Sequence, residues 1–517
     1  MVNLKKHFIK KFRNISIYEY IGYCLLLSAV FISGVILSVL IDGSIWNLNS
    51  FNTQWGDELT YYRTVLSMRT MGYPTGHRGY NEFVPPLQSY GFYSVLTFIP
   101  NYLISFITGI SSHNFIVYGN VILIELSIIV FILAIRPTLW QSILFSLLFA
   151  SNLVLTKYIW SGMVEAFSIA TTISVVSISI NLYRKKLWKI KEYILLGIML
   201  FLIYYMGATR PFMLAYILLP ILLLYRNLGL KKYQKILLTI GIFLLSFATI
   251  YLFFWFIKNT NSKYLYDTIL IEFKTSPIGA IINAHNNVLS LLLNIFSKKL
   301  EPFMKYTNAY FCFFMILFLA LSIYSLIRKK EYTSLVLATL IIAFAIFEAI
   351  IIIYNYAQTR MYVSVAILMI IVATVEVKEL KITVPMFLIT VFCMYSMNVS
   401  ALLSFPANKE GDDVKALETR QTMTEVMPYD SSGEEFNNTI IVPIYMLNAS
   451  DHTFMLPEYI GNTFFLKSDI IDKLKEGFTF KSKYMIVECQ DELNELCAEK
   501  FENIWQDDYC VIYKLRD

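Results

Sequence analysis

The sequence predicts a polytopic α-helical membrane protein of about eleven transmembrane helices, ending in a small extracytoplasmic α/β domain. Two observations carry that expectation. The chain has 517 residues, 57% of them hydrophobic and only 15% charged, and a mean hydropathy of +0.57. Soluble domains carry about 25% charged residues, and one water-soluble body must keep most of its exterior facing solvent. The same figures exclude a disordered chain, a secreted disulfide scaffold and a coiled coil. The charge is also divided. Residues 1–404 hold 32 Lys+Arg against 15 Asp+Glu, while residues 405–517 hold 11 against 22. A net charge of +6 therefore conceals a basic apolar body, expected over 1–404, and an acidic soluble domain, expected over 405–517.

A crossing helix needs roughly 20 apolar residues. Apolar runs meet or approach that length at 18–42, 113–135, 138–155, 161–182, 193–208, 212–225, 236–257, 309–327, 333–354, 361–377 and 382–403. Between them sit short basic clusters: Lys5, Lys6, Lys10, Lys11 and Arg13; 184–191; 226–235; 328–330; and Lys378 with Lys381. Such clusters mark cytoplasmic loops, not a nucleic-acid surface. The N-terminus is too basic, and its apolar run too long, for a cleaved signal peptide. Alternation then puts the N-terminus in the cytoplasm and the tail outside.

Residues 86–108 are apolar enough to span, but counting them as a span breaks this alternation. They are expected to lie along the outer interface as a juxtamembrane helix pair broken near Pro100, where their tyrosines fit. Two external loops result, 43–112 and 258–305, the second with an amphipathic helix near 281–296. In the tail, runs at 438–445, 484–488 and 510–515 read as strands, with helical stretches between them. Cys24, Cys312 and Cys393 fall in apolar runs as packing residues. Cys489, Cys497 and Cys510 leave room for one bridge whose pairing cannot be read. No internal repeat is visible, which disfavours many secondary-transporter folds.

The chemistry concentrates just outside the first span, at Trp55-Gly56-Asp57-Glu58-Leu59-Thr60-Tyr61-Tyr62-Arg63. Adjacent carboxylates on a helix point about 100° apart, so Asp57 and Glu58 cannot serve one atom equally. The plainer reading is that both are first-turn acidic residues favoured by the helix dipole. Downstream come Gly76-His77-Arg78-Gly79-Tyr80-Asn81-Glu82 and then Val84-Pro85-Pro86-Leu87.

This order resembles the C-type glycosyltransferases (GT-C), which use lipid-phosphate-linked sugars outside the cytoplasm. In that family an Asp-Glu-x-x-Tyr helix after the first span precedes a Pro-Pro-Leu segment opening a juxtamembrane helix. The motifs lie within 1–230, and the rest matches by topology alone. The resemblance implies looser correspondences too: Glu165 as a second acidic residue, Arg210 in an Arg-Pro turn, and Arg360 beside Tyr362 as a phosphate ligand. Val84 stands where some relatives have Lys, which leaves Arg78 as the nearest cation in that loop. No metal and no other cofactor is expected; the alternative is a divalent ion on Asp57, Glu58 and Glu165, as in some relatives.

The chemistry stands without the family. A sugar on a lipid phosphate already has a good leaving group, so transfer needs a base and charge stabilisation. A carboxylate, here Asp57, takes the acceptor proton. Arg210 and Arg360, helped by Arg78 and Lys157, stabilise the departing phosphate; interfacial snorkelling is the alternative for each. Tyr61, His77 and Glu82 are further candidates for substrate contact, against an aromatic belt or a solvated loop. Glu125 and Glu348 lie within spans, where a charge is costly.

The reading is an inverting glycosyltransferase of a bacterial cytoplasmic membrane, with a polyprenyl-phosphate-linked sugar as donor and a glycan or glycolipid as acceptor. The layout is similar to that of O-antigen-modifying glucosyltransferases, which would make the sugar glucose. Two rivals remain. A flippase for lipid-linked saccharides would use Glu125, Arg210 and Glu348 as a polar path, and a polysaccharide polymerase or ligase would centre on 258–305.

Overall fold

A computed structural model of the chain describes residues 16–42, 56–70, 95–109, 115–257, 275–294, 302–354, 359–396, 412–434, 436–447 and 455–516. Helix α1 (Ile17–Asp42) is followed by α2 (Gly56–Thr70), a 3-10 turn at Val95–Thr97 and α3 (Ile99–Thr108). Next come α4 (Phe115–Ile135), α5 (Leu139–Ala150), α6 (Leu153–Ile159), α7 (Glu165–Tyr183) and α8 (Ile190–Thr209). The 3-10 segment Pro211–Ile217 leads into α9 (Leu218–Arg226), then α10 (Lys232–Ile257), α11 (Pro277–Asn294), α12 (Pro302–Ile327) and α13 (Thr333–Tyr354). Helix α14 (Thr359–Val372) ends in a π-helical turn, Ala373–Val377, before α15 (Leu380–Ser396).

Each of the eleven apolar runs contains a helix. Among the described residues eight helices are long and apolar enough to cross a membrane, or nine if α5 and α6 count as one bent span. The chain is a multi-pass membrane protein. Three runs depart from single straight crossings. Run 138–155 bends by 77° because the Asn152 side chain accepts from the Leu155 amide (3.1 Å) and starts a new helix. Run 212–225 begins as 3-10 turns behind Pro211. In run 382–403 the described helix stops at Ser396 and carries an internal Pro385. Residues 95–108 form a helix too short to cross, and Pro100 lies in the first turn of α3, where its missing amide costs nothing. The predicted break is thus a helix start.

The basic turns converge on one end of the bundle. Arg184 donates to Glu376 (2.6 Å) and to the Ile135 carbonyl (3.3 Å), and Arg226 donates to the Tyr183 carbonyl (2.9 Å). Tyr183 reaches the Glu331 carbonyl (2.5 Å), and Lys330 pairs with Glu379 (3.4 Å). These contacts join the turns after α4, α7, α9, α12 and α14, so all of them lie on one side. The opposite end is also closely packed. Trp160 donates to the Val30 carbonyl (3.3 Å) and fills the space beside Gly34, where a Cβ would come within 2.7 Å of the indole. Gly34→Ala is therefore expected to destabilise by about 1–3 kcal/mol, seen as a lower thermal midpoint in detergent. Gly197→Ala in α8, where a Cβ meets nothing within 4 Å, is expected to raise it.

In the tail, α16 (Asp412–Val426), β1 (Thr439–Pro443), β2 (Gly461–Phe465), α17 (Lys467–Lys475), β3 (Tyr484–Glu488), α18 (Glu492–Ala498), β4 (Glu502–Gln506) and β5 (Cys510–Lys514) build a sheet of order β2-β1-β3-β5-β4. β1 runs parallel to β2 and β3, and β5 is antiparallel to β3 and β4. Met423 and Met427, from α16 and just beyond it, pack on Ile440, Val442 and Ile486. Ile470, Leu474 and Leu493 of α17 and α18 pack on Ile441, Met485 and Val487. Alternate residues of the central strands thus feed two cores.

All six cysteines are free, so no bridge forms in the tail. Cys497 and Cys510 belong to cores on opposite faces of the sheet. The hydroxyl and amide of Ser432, then Lys483, hold the Asp430 carboxyl at about 2. An unfolded Asp titrates near ~4, so this support for the turn is complete above ~4 and is lost as pH falls toward ~2. Amide exchange across 430–438 in the intact protein should accelerate over that window, and Asp430→Asn should remove the pH dependence.

Candidate functional site

Helix α2 opens with Asp57 and Glu58 in its first turn, where acidic residues suit the dipole; their side chains lie outside the described residues. The remainder of the helix is firmly mounted. Tyr61 is buried, its ring 5.6 Å from that of Phe98, and the Tyr62 ring lies 5.6 Å from that of Phe115. Arg69 donates to Ser105 Oγ (3.0 Å) and its guanidinium lies 3.9 Å from the centre of the Phe106 ring. The helix is thereby fixed to α3 and the start of α4. α3 in turn packs tightly on α4 at Gly119, where a Cβ would come within 2.5 Å of Asn101 Oδ1.

Three charged residues assemble at this same end from three separate spans. Glu165 begins α7, after a turn clamped by Asn120 of α4, whose amide donates to the carbonyls of Ser161 (2.9 Å) and Met163 (2.7 Å). Arg210 stands in extended conformation, φ −144° and ψ 97°, at the end of α8. Pro211 excludes the helical region for the residue before it, so the helix must stop and turn the guanidinium aside. Arg210 Nη2 donates to Glu165 Oε1 at 2.7 Å, with both side chains buried. Arg360, in the first turn of α14, brings Nε to 3.9 Å from the same oxygen, and its side chain is 18% exposed. Glu165 Oε2 is buried and has no hydrogen-bond partner among the described residues. Lys157 of α6 is also buried. Tyr205, one turn before the end of α8, donates to the Leu96 carbonyl (2.7 Å), which ties the cluster to the segment entering α3.

Among the described residues the structure thus brings together Glu165, Arg210 and Arg360. Tyr362 lies one turn along α14, buried between the rings of Phe311 and Phe347 (5.1 and 5.2 Å). No contact among the described residues joins Glu348 or Glu125 to the cluster, and Glu125 Oε1 is buried without a partner there. Of the three residues of the flippase reading, Arg210 pairs with Glu165. His77, Arg78 and Glu82, and residues 258–274 and 295–301 of the second loop, lie outside the described residues. Among those described, no three His, Cys, Asp or Glu side chains gather as a metal site. Asn120 has no individual signal in the sequence; Arg63, within the aromatic stretch after Asp57, stands out only as a cation in a helix expected outside the membrane.

No family model matches the sequence, and no curated sequence matches it either. Solved structures do match by fold. One is the oligosaccharyltransferase AglB from the archaeon Archaeoglobus fulgidus, in complex with an inhibitory peptide and a dolichol-phosphate. It has a TM-score of 0.53 and 12% identity, over 92% of this chain and 70% of that one. Another is ArnT from Cupriavidus metallidurans in the apo state, with a TM-score of 0.50 and 11% identity, over 96% of this chain and 98% of that one. At such identities the likeness is one of fold, and the fold is the GT-C fold that the motif order implied.

Proposed function

We propose that the chain is an inverting glycosyltransferase that moves one sugar from a polyprenyl-phosphate donor to a cell-envelope glycan. The observation that carries this reading is the buried Glu165–Arg210 pair with Arg360 half-open beside it. Arg210 and Arg360 bring two guanidiniums to one place, the chemistry that holds a phosphate. Arg360 adds its guanidinium in the first turn of α14, at a helix N-terminus whose dipole itself favours an anion. A lipid phosphate is such an anion, and AglB, of similar fold, was solved with a dolichol-phosphate.

The acceptor hydroxyl oxygen attacks the anomeric carbon from the face opposite the phosphate. Its proton passes to the Asp57 carboxylate as the new C–O bond forms. The bond from the anomeric carbon to phosphate breaks, and its electron pair leaves on the phosphate oxygen, which Arg210 and Arg360 stabilise. Single displacement inverts the configuration. Glu58 is the second catalytic carboxylate, and Tyr61, His77, Arg78, Glu82, Lys157 and Glu348 are assigned to substrate contact around this centre. The basic end of the bundle is placed in the cytoplasm, and the cluster and the 405–517 domain outside it. A glucosyl donor and an O-antigen acceptor are the specific form of the reading.

The test is a transfer assay in nanodiscs, with undecaprenyl-phosphate sugars of several kinds and a cell-envelope glycan as acceptor. Release of undecaprenyl phosphate together with an extended glycan is the expected result. Movement of the donor between leaflets with no bond broken would replace this reading with the flippase. A reporter fused after Asp517 that is active in the cytoplasm would overturn the topology.

A further inference from the structure

The acidic tail makes a contact with the body that neither the fold nor the transfer chemistry requires. Arg63 lies six residues beyond Asp57 on α2, and its side chain is 1% exposed. Its Nη1 donates to the Pro457 carbonyl (2.7 Å) and its Nη2 to the Leu456 carbonyl (2.8 Å), so the guanidinium forks two successive peptide oxygens in the turn before β2. That turn is firm ground. Leu456 is fully buried in the core under α16, and the Ile460 amide also donates to the Pro457 carbonyl (3.1 Å). A reciprocal contact lies one residue earlier on α2, where Arg420 of α16 donates to the Tyr62 hydroxyl (2.6 Å). Each side therefore sends an arginine into the other.

We infer that Arg63 is a positioning residue: its fork latches the tail onto α2 and so fixes where the first turn bearing Asp57 stands. The inference rests on the assignment of Asp57 as base. Tyr61 and Arg69 hold α2 against α3 and α4, and Arg63 holds it from the tail side, so the helix is mounted on two sides. A buried guanidinium is a costly way to join two surfaces, since apolar packing does that as well or better. What a planar fork adds is a defined register and orientation, which lysine cannot reproduce with one donor direction.

The test uses the full chain in nanodiscs, comparing Arg63→Met, Arg63→Lys and Tyr62→Phe. Amide exchange across 57–62, the turnover number and the donor KM are read for each. Arg63→Met is expected to speed exchange across 57–62 with α7 and α8 unchanged. It should lower kcat on the order of 100-fold, the cost of a displacement near 1 Å, with the donor KM within about threefold because the phosphate ligands are on other helices. Arg63→Lys should recover part of both effects. Tyr62→Phe, which removes the hydrogen bond from Arg420, should show the same pattern more weakly, and it decides the latch if Arg63→Met does not fold. Unchanged exchange across 57–62 in Arg63→Met overturns the latch. Faster exchange with wild-type kcat overturns its role in positioning. A loss equal in KM and kcat, unrelieved by Lys, reduces it to a structural contact. If the wild-type protein transfers no sugar at all, the proposed activity fails, and the exchange measurement still decides the latch.

Discussion

Asp57→Asn should reduce sugar transfer by about 10²–10⁴-fold, the range that a positioned general base supplies, and should leave the donor KM nearly unchanged. The substitution keeps the size and the side-chain acceptor of the residue while removing its ability to take a proton. It sits in the first turn of α2, where the dipole interaction of a charge is about 0.3–1 kcal/mol. An unfolding midpoint measured beside the activity separates chemistry from stability. Glu58→Gln is the matched comparison. It lies one residue on and points about 100° away, and should cost far less. A large loss in Glu58→Gln with Asp57→Asn active would exchange the two roles. Full transfer by both variants would place the base elsewhere.

The fold was more legible than the site, for physical reasons that particular residues display. Hydropathy reports a span wherever about 20 residues must face lipid, and it located every apolar helix of the body. It was blind to Asn152, whose side chain competes for a backbone amide and bends run 138–155 at a point that stays apolar on both sides. In the tail, the strands at 439–443, 484–488 and 510–514 are buried and rich in β-branched residues. β2 opens on Gly461-Asn462, and β4 is an exposed edge strand, so neither carries that signature. Glu165, Arg210 and Arg360 were each visible as rare external charges. That they meet was not visible, because Arg210 lies 45 residues from Glu165 and periodicity says nothing across such separations. Arg63 was still harder to read. Its partners are backbone carbonyls 393 and 394 residues away, and a carbonyl has no residue type.

The Glu165–Arg210 pair should show the other large effect, and here stability and activity separate. Both side chains are almost wholly enclosed, at 1% and 4% exposure, with 2.7 Å between the charged atoms. Removing one partner takes a close, buried counter-charge from the other, so Arg210→Met and Glu165→Leu should each cost about 3–5 kcal/mol. The double variant should cost much less than their sum, because an apolar pair leaves no charge behind. Additive losses in thermal unfolding would show that the two groups are not coupled as the geometry requires. Arg360 is the contrasting case. It stands 3.9 Å from the same carboxylate and is partly open, so Arg360→Met should leave the unfolding midpoint close to wild type. If it faces the lipid phosphate, its loss should raise the donor KM and lower kcat together, since the phosphate is bound in the ground state and gains charge as the bond breaks. A fall in stability without a change in either constant would make Arg360 a third member of a structural network. The double variant of Glu165 and Arg210 then carries the last distinction: a stable protein that has lost transfer assigns the pair to phosphate binding, and a stable protein that still transfers assigns it to the scaffold.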